Sequence, residues 1–236
     1  KDARAESNIV FTDRLTDKVF DHLAAGKTVL LSYHRDEPGN QYYLSGTLNR
    51  FKPCIWHRGS NLGGIFNCEP LQKALASGRY FDYQMQPLIE GSYKLNLDHF
   101  PAKVDELVSG VDKPVRDRMK GLIHRIKDFI DDDTLRNFCF LAAMKVGAGK
   151  LVISTFSLKQ LDSPAVDSCL AALINMLPTL NVSGSIAPEV LLKHLEAITA
   201  AAPDKEDVMN HFWEIDNKPV EDTLFWETAG IDLSKL

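Results

Sequence analysis

Residues 8–33, NIVFTDRLTDKVFDHLAAGKTVLLSY, constrain the fold more than any other stretch of the chain. NIVFTD (8–13) reads as a short buried strand. Leu15, Val19, Phe20 and Leu23 then recur at helical spacing, and Gly26 stands where a helix ends. KTVLLSY (27–33) is a second apolar run of strand length. Strand, helix and strand in so few residues form a βαβ unit, which requires the two strands to run parallel.

The rest of the chain extends this unit. NFCFLAAMKVGAGKLVISTF (137–156) places two apolar runs around a Gly-Ala-Gly turn and predicts a hairpin-like pair. PLQKALASG (70–78) predicts a short helix, and VDELVSGVD (104–112) has strand character. DRMKGLIHRIKDFIDDD (117–133) predicts a helix with Met119, Leu122, Ile123, Ile126 and Ile130 on one face. SPAVDSCLAALINML (163–177) reads as a helix with Ser163 as N-cap and Pro164 at its first position. APEVLLKHLEAITAAA (187–202) predicts another, and 203–236 form a polar tail with a few aromatics. The expected architecture is α/β, a layered and mostly parallel sheet flanked by helices with a C-terminal helical extension. The expected division is a domain over 1–180 and an extension and tail over 181–236.

Composition removes several function classes. A formal charge of -5 over 236 residues argues against a nucleic-acid footprint. No apolar run approaches the ~18–20 residues of a membrane span, and no signal peptide is visible. Four cysteines, Cys54, Cys68, Cys139 and Cys169, do not make a disulfide framework in a chain of this length. Cys139 and Cys169 lie in apolar runs and read as buried thiols.

The segment KPCIWHRGSNLGGIFNCEP (52–70) is the densest in chemistry-bearing residues. GSNLGG lacks the Lys-Ser/Thr pair of a phosphate loop and the spacing of a dinucleotide fingerprint. Cys54, His57, Cys68 and Glu69 do not have the paired spacing of a zinc site. DFIDDDT (128–134) lacks the glycine and final glutamate of a calcium loop. No cysteine or serine has the flanking glycines of a nucleophile elbow, and no acid pair suggests glycoside hydrolysis. No cofactor and no metal are therefore expected.

Recognition chemistry remains. Trp56, His57, Arg58 and Asn61 combine an aromatic face with imidazole, guanidinium and amide donors, a mixture that suits a carbohydrate. Tyr42, Tyr43, Trp213 and Trp226 could add aromatic platforms. The same residues also serve loop packing or contact between domains. A Cys/His hydrolase using His57 with Cys54 or Cys68, which needs a thiolate of lowered pKa, is a further reading.

Four stretches carry a family resemblance. IVFTDRLTDKVFDHLAAGKTVLLSY, FKPCIW with GGIFNCEPLQKAL, YFDYQMQPLIEGSYKLNLD and AMKVGAGKLVISTFSL occur in that order over roughly residues 8–178. Together they resemble the amidotransferase-like domain found near the C-terminus of family-two glycoside hydrolases of the β-galactosidase type. The resemblance implies a flavodoxin-like, amidotransferase-like fold that has lost its elbow and serves as a non-catalytic accessory module of a polysaccharide-degrading enzyme. It implies a partner, the catalytic module of a glycosidase in the same or another chain, and with it a periplasmic or secreted location if the parent enzyme is exported. Loop 54–64 would then pack on that module or rim its site. A stand-alone carbohydrate-binding protein is the alternative.

Overall fold

The computed structural model describes residues 8–35, 37–44, 46–48, 63–76, 78–81, 85–89, 91–98, 100–111, 137–158 and 163–200. Among them are nine strands and five helices. The first strand, β1 (Ile9–Thr12), leads through α1 (Asp17–Ala24) to β2 (Thr28–Ser32). These strands pair in parallel, Ile9 opposite Thr28 through Thr12 opposite Leu31. Helix α1 forms where Val19 and Leu23, one turn apart, both find the core. Asp17 in its first turn suits the positive end of the helix. The chain leaves α1 through Gly26 at φ 75°, a conformation that costs glycine little. β1 is only partly buried, with Phe11 52% exposed, because it is an outer strand of the sheet rather than the buried strand its composition predicts.

The hairpin predicted at 137–156 is β7 (Phe138–Val146) and β8 (Gly149–Ser154), antiparallel from Leu141 opposite Ser154 to Val146 opposite Gly149. β8 also lies parallel to β2, with Thr28 opposite Lys150 and Ser32 opposite Ser154. The sequence therefore returns, after more than a hundred residues, to extend its opening unit.

The intervening strands are β3 (Gly46–Leu48), β4 (Gly63–Phe66), β5 (Tyr93–Asn96) and β6 (Asp105–Val111), and β9 (Ser185–Ile186) follows later. β3 pairs with β5, β4 with β6, and β5 and β6 with β7, all antiparallel, while β9 lies parallel to β7. Cys139 of β7 faces both Leu95 and Ser109, and Ala142 faces both Glu106 and Ile153. β5 and β8 therefore follow one another along one edge of β7, and β6 takes the other edge. The expected mostly parallel sheet is instead mixed. Its parallel run stops at β8, because β7 arrives through a tight turn at Gly147 (φ 59°) that permits only an antiparallel neighbour.

Helices cover the sheet from both sides. α2 (Glu69–Leu75), α3 (Gln86–Ile89) and α4 (Pro164–Met176) bury Leu71, Leu88, Ile89, Cys169 and Leu173 against Leu30, Phe140 and Val152. On the other face α1 and α5 (Pro188–Ala200) bury Leu23, Leu191 and Leu195 against Val29, Leu31, Leu151 and Ile153. Adjacent residues of β2 and β8 alternate between the two cores, as a strand with two covered faces must. Cys139 and Ala142 face the second core, whereas Phe140 and Leu141 both face the first. The register shift opposite Val108 marks a bulge at this point.

Ser163 stands at the N-cap of α4, and Pro164 in its first turn, although the serine side chain makes no capping bond. The boundary expected at residue 180 falls between α4 and β9. Beyond it, β9 joins the sheet, and Leu191 and Leu195 of α5 enter the second core. The helix expected over 117–133 and the tail at 203–236 lie outside the described residues.

Candidate functional site

In an open α/β sheet the carboxyl ends of parallel strands are the usual place for a site. Here that rim gathers the segments after Thr12, Ser32 and Ser154, since β1, β2 and β8 run in one direction. β5 continues the line of β8 along β7, so Tyr93 lies just past the end of β8. Leu48 faces Tyr93, and Gly63 faces Val111 beyond the start of β7. The residues that flank 49–62 therefore both stand at this rim. Trp56, His57, Arg58 and Asn61 themselves lie outside the described residues, as do Cys54, Trp213 and Trp226.

Polar side chains are buried at this rim, and several of them hold backbone in place. The Tyr33 N–H donates to Ser154 O at 2.7 Å, and the Tyr33 hydroxyl accepts from the Leu44 N–H at 3.0 Å. Ser92 donates to Ile89 O at 2.7 Å, and Thr155 donates to Phe140 O at 3.2 Å. Ser154 accepts from the Phe156 N–H at 3.4 Å. Asn40 ties three loop ends together. Its Oδ1 accepts from Leu15 N–H at 2.8 Å, and its amide donates to the carbonyls of His34 and Arg35. His34 meets Tyr93 edge to face at 5.3 Å. Lys94 is 2% exposed and carries its ammonium 4.5 Å from the centroid of the Phe138 ring.

No motif in the sequence marks these positions. Lys94 carries a faint signal, a cation between Tyr93 and Leu95 in an otherwise apolar strand. Ser92, Ser154 and Thr155 carry none, because a serine or threonine at a strand end also reads as a solvent-facing turn residue.

The thiols are placed for packing. Cys68 lies beside Met176, sulfur to sulfur at 3.1 Å, and burial pushes its thiol up. Burial also raises Cys169, to about 12. Burial raises Cys139 still further, with the Glu106 charge adding to it. A thiol that resists ionisation is a poor nucleophile and a poor metal ligand. Among the described residues no group of three metal-ligating side chains comes together. Among them, too, no helix is long and apolar enough to cross a membrane.

A cleft of about 360 Å³ opens between α2, α3 and the start of α4, lined by Leu75, Met85, Pro87, Ser163, Pro164 and Ser168. Among the described residues its walls are mostly apolar, with the side chains of Ser163 and Ser168 as their polar members.

Residues 10–128 match the model of a family described as a domain of unknown function, DUF8487. The chain belongs to this family. The DUF8487 match begins inside β1 and takes in every element through β6, but it ends before β7, the strand that joins the two halves of the sheet. No curated protein matches the chain.

Proposed function

We propose that this DUF8487 chain is a non-catalytic accessory domain of a carbohydrate-active glycoside hydrolase, supporting or rimming the site of a separate catalytic module. On this reading its layers are the flavodoxin-like, amidotransferase-like arrangement, reduced to a scaffold. The partner is the catalytic module, in the same or a partner chain. Trp56, His57, Arg58 and Asn61 contribute to the contact or to the sugar.

The observation that carries the reading is what stands at the carboxyl ends of β2 and β8. An amidotransferase-like enzyme needs an activated nucleophile at this rim. Here Ser154 and Thr155 are committed to backbone bonds within the fold. The described thiols lie in the cores with their pKa values raised. This is an arrangement for holding loops rather than for attack. The order of the resembling segments supports the same reading, since the first becomes β1-α1-β2 and the last the β7–β8 hairpin.

The test is hydrolysis by the purified chain of chromogenic β-galactosides and related glycosides. No turnover is expected. Turnover that falls on Trp56→Ala substitution would overturn the proposal, because it would place chemistry in this chain itself.

A further inference from the structure

One sheet face outside the rim carries polar chemistry that neither core uses. Tyr80 bridges Ile65, Ile65 faces Ser109, and Ser109 faces Cys139. Paired residues point to the same side of a sheet, so these four form one row across it. Cys139 lies under the second core, whereas Ile65 and Ser109 are half-exposed and Tyr80 is 67% exposed. The covered face thus runs out into an open one over β6 and β4.

Beside this row runs a chain of side-chain hydrogen bonds. Arg79 donates to Asn67 Oδ1 at 3.3 Å, and the Asn67 amide donates to Ser109 Oγ at 2.7 Å. Ser109 donates to Glu106 Oε2 at 2.7 Å, and Asn137 donates to Glu106 Oε1 at 2.9 Å. These bonds fix the side chains without exhausting them. Each Glu106 oxygen keeps a lone pair, and Asn67 and Arg79 keep N–H donors. Among the described residues this chain of bonds holds one carboxylate and one guanidinium, and a second carboxylate, Asp98, accepts from the Asn137 N–H at its far end.

We infer that this face of β6 and β4 binds an oligosaccharide, with one sugar ring lying on Tyr80 and hydroxyls of neighbouring units meeting Asn67, Glu106 and Arg79. A sugar offers an apolar C–H face to an aromatic ring. Each of its hydroxyls is both donor and acceptor, which matches acceptors and donors set side by side. An anion would meet the Glu106 charge, and a cationic peptide would meet Arg79. Charges of both signs set among neutral donors and acceptors therefore favour an uncharged polyol. The choice of a carbohydrate rests on the functional reading above, but the site uses none of residues 52–62.

Affinity electrophoresis of the full chain through gels containing soluble β-glucan, galactan or xylan tests this directly. Retardation by at least one polysaccharide is expected. Tyr80→Ala should weaken it about tenfold, the loss of one aromatic platform, and Asn67→Ala about threefold. Phe11→Ala, which removes an exposed ring on the far edge, should leave it unchanged. Thermal melting of each variant separates lost binding from lost folding, since Tyr80 is exposed. No retardation by any of the three polymers, or undiminished retardation of a folded Tyr80→Ala variant, overturns the assignment. So does Tyr80-dependent capture of a catalytic module by a chain that no glycan retards. None of these results bears on whether the chain hydrolyses glycosides, so the accessory reading stands or falls separately.

Discussion

The sheet has two halves built on different terms. In the parallel half, β1, β2 and β8 carry apolar side chains to both faces, and helices close on each side. In the antiparallel half, β4 and β6 bury Phe66 and Val108 on one face and present Ile65, Ser109 and Glu106 on the other. A strand with two covered faces must be apolar throughout. A strand with one open face is free to alternate, and the open side can carry chemistry. Stability is therefore expected to concentrate around β2, β7 and β8, and recognition around β4 and β6 and the loops at the rim.

The largest expected effect lies where the halves meet. Phe140 is fully buried and stacks against Phe156 at 6.1 Å and Phe81 at 5.6 Å. Phe140→Ala leaves a cavity at the bulge and should cost about 4 kcal/mol, read as the shift in a urea midpoint. A loss near 1 kcal/mol would mean that the junction between the halves is loosely packed.

Two glycines sharpen the contrast. A Cβ on Gly149 would stand 2.6 Å from Leu23 Cα and Leu23 O, and 2.8 Å from Lys27 O. Those neighbours are backbone atoms of α1 and of the segment after it, and backbone yields only by moving the helix off the sheet. Gly149→Ala should cost about 3 kcal/mol. On Gly64 of β4 the same atom would meet the Phe81 ring at 2.7 Å. A partly buried ring can turn, so Gly64→Ala should cost nearer 1 kcal/mol. Equal losses in thermal melts would show that the antiparallel half is as tightly determined as the parallel one.

Legibility in the sequence follows the same division. The β1-α1-β2 unit, the β7–β8 hairpin and helices α2, α4 and α5 were readable because their periodicity is local and most of its apolar positions enter a core. The mixed sheet was not readable. Whether β8 lies beside β2 depends on contacts across more than a hundred residues, which no window of sequence reports. β3, β4 and β5 are three or four residues long, too short for alternation to stand out. The polar row across β4 and β6 was hidden for another reason. Asn67, Tyr80 and Ser109 are far apart in the chain, and only strand pairing aligns them.

The thiols offer a chemical version of the comparison. Cys139 and Cys169 are both fully buried, one under each core, with their ionisation opposed by burial. In the native chain both should react with a thiol-specific disulfide reagent only at the rate of unfolding, and at once in denaturant. Fast labelling of either in the native chain would show that its side of the sheet opens.

The smallest effects are at the ends of loops, and they carry a sign. Burial opposes ionisation of Asp105, but donation from the Ser183 hydroxyl, from Ser183 N–H and from Gly184 N–H, with the Lys103 charge, outweighs it. The carboxyl is thereby held below the usual carboxylate range. A carboxylate whose folded pKa is depressed adds stability above its ordinary pKa and loses it as pH falls through the folded value. Tyr42 runs the other way. Its hydroxyl donates to Asp17 Oδ1 at 2.6 Å, and that bond, with burial and the charges of Asp17 and Glu196, pushes the phenol up to about 12. Its contribution is whole below the ordinary value of about 10 and is lost as pH rises toward 12. Asp105→Asn should cost about 1 kcal/mol near neutral pH and nothing in strong acid. Tyr42→Phe should cost about 0.5 kcal/mol near neutral pH, a difference that closes above pH 12. The first bond fastens the chain to β6 in the antiparallel half, and the second fastens α1 in the parallel half. Melting curves of the two variants across pH therefore separate the two regions at the alkaline end, where the Tyr42 difference should vanish and the Asp105 difference should remain.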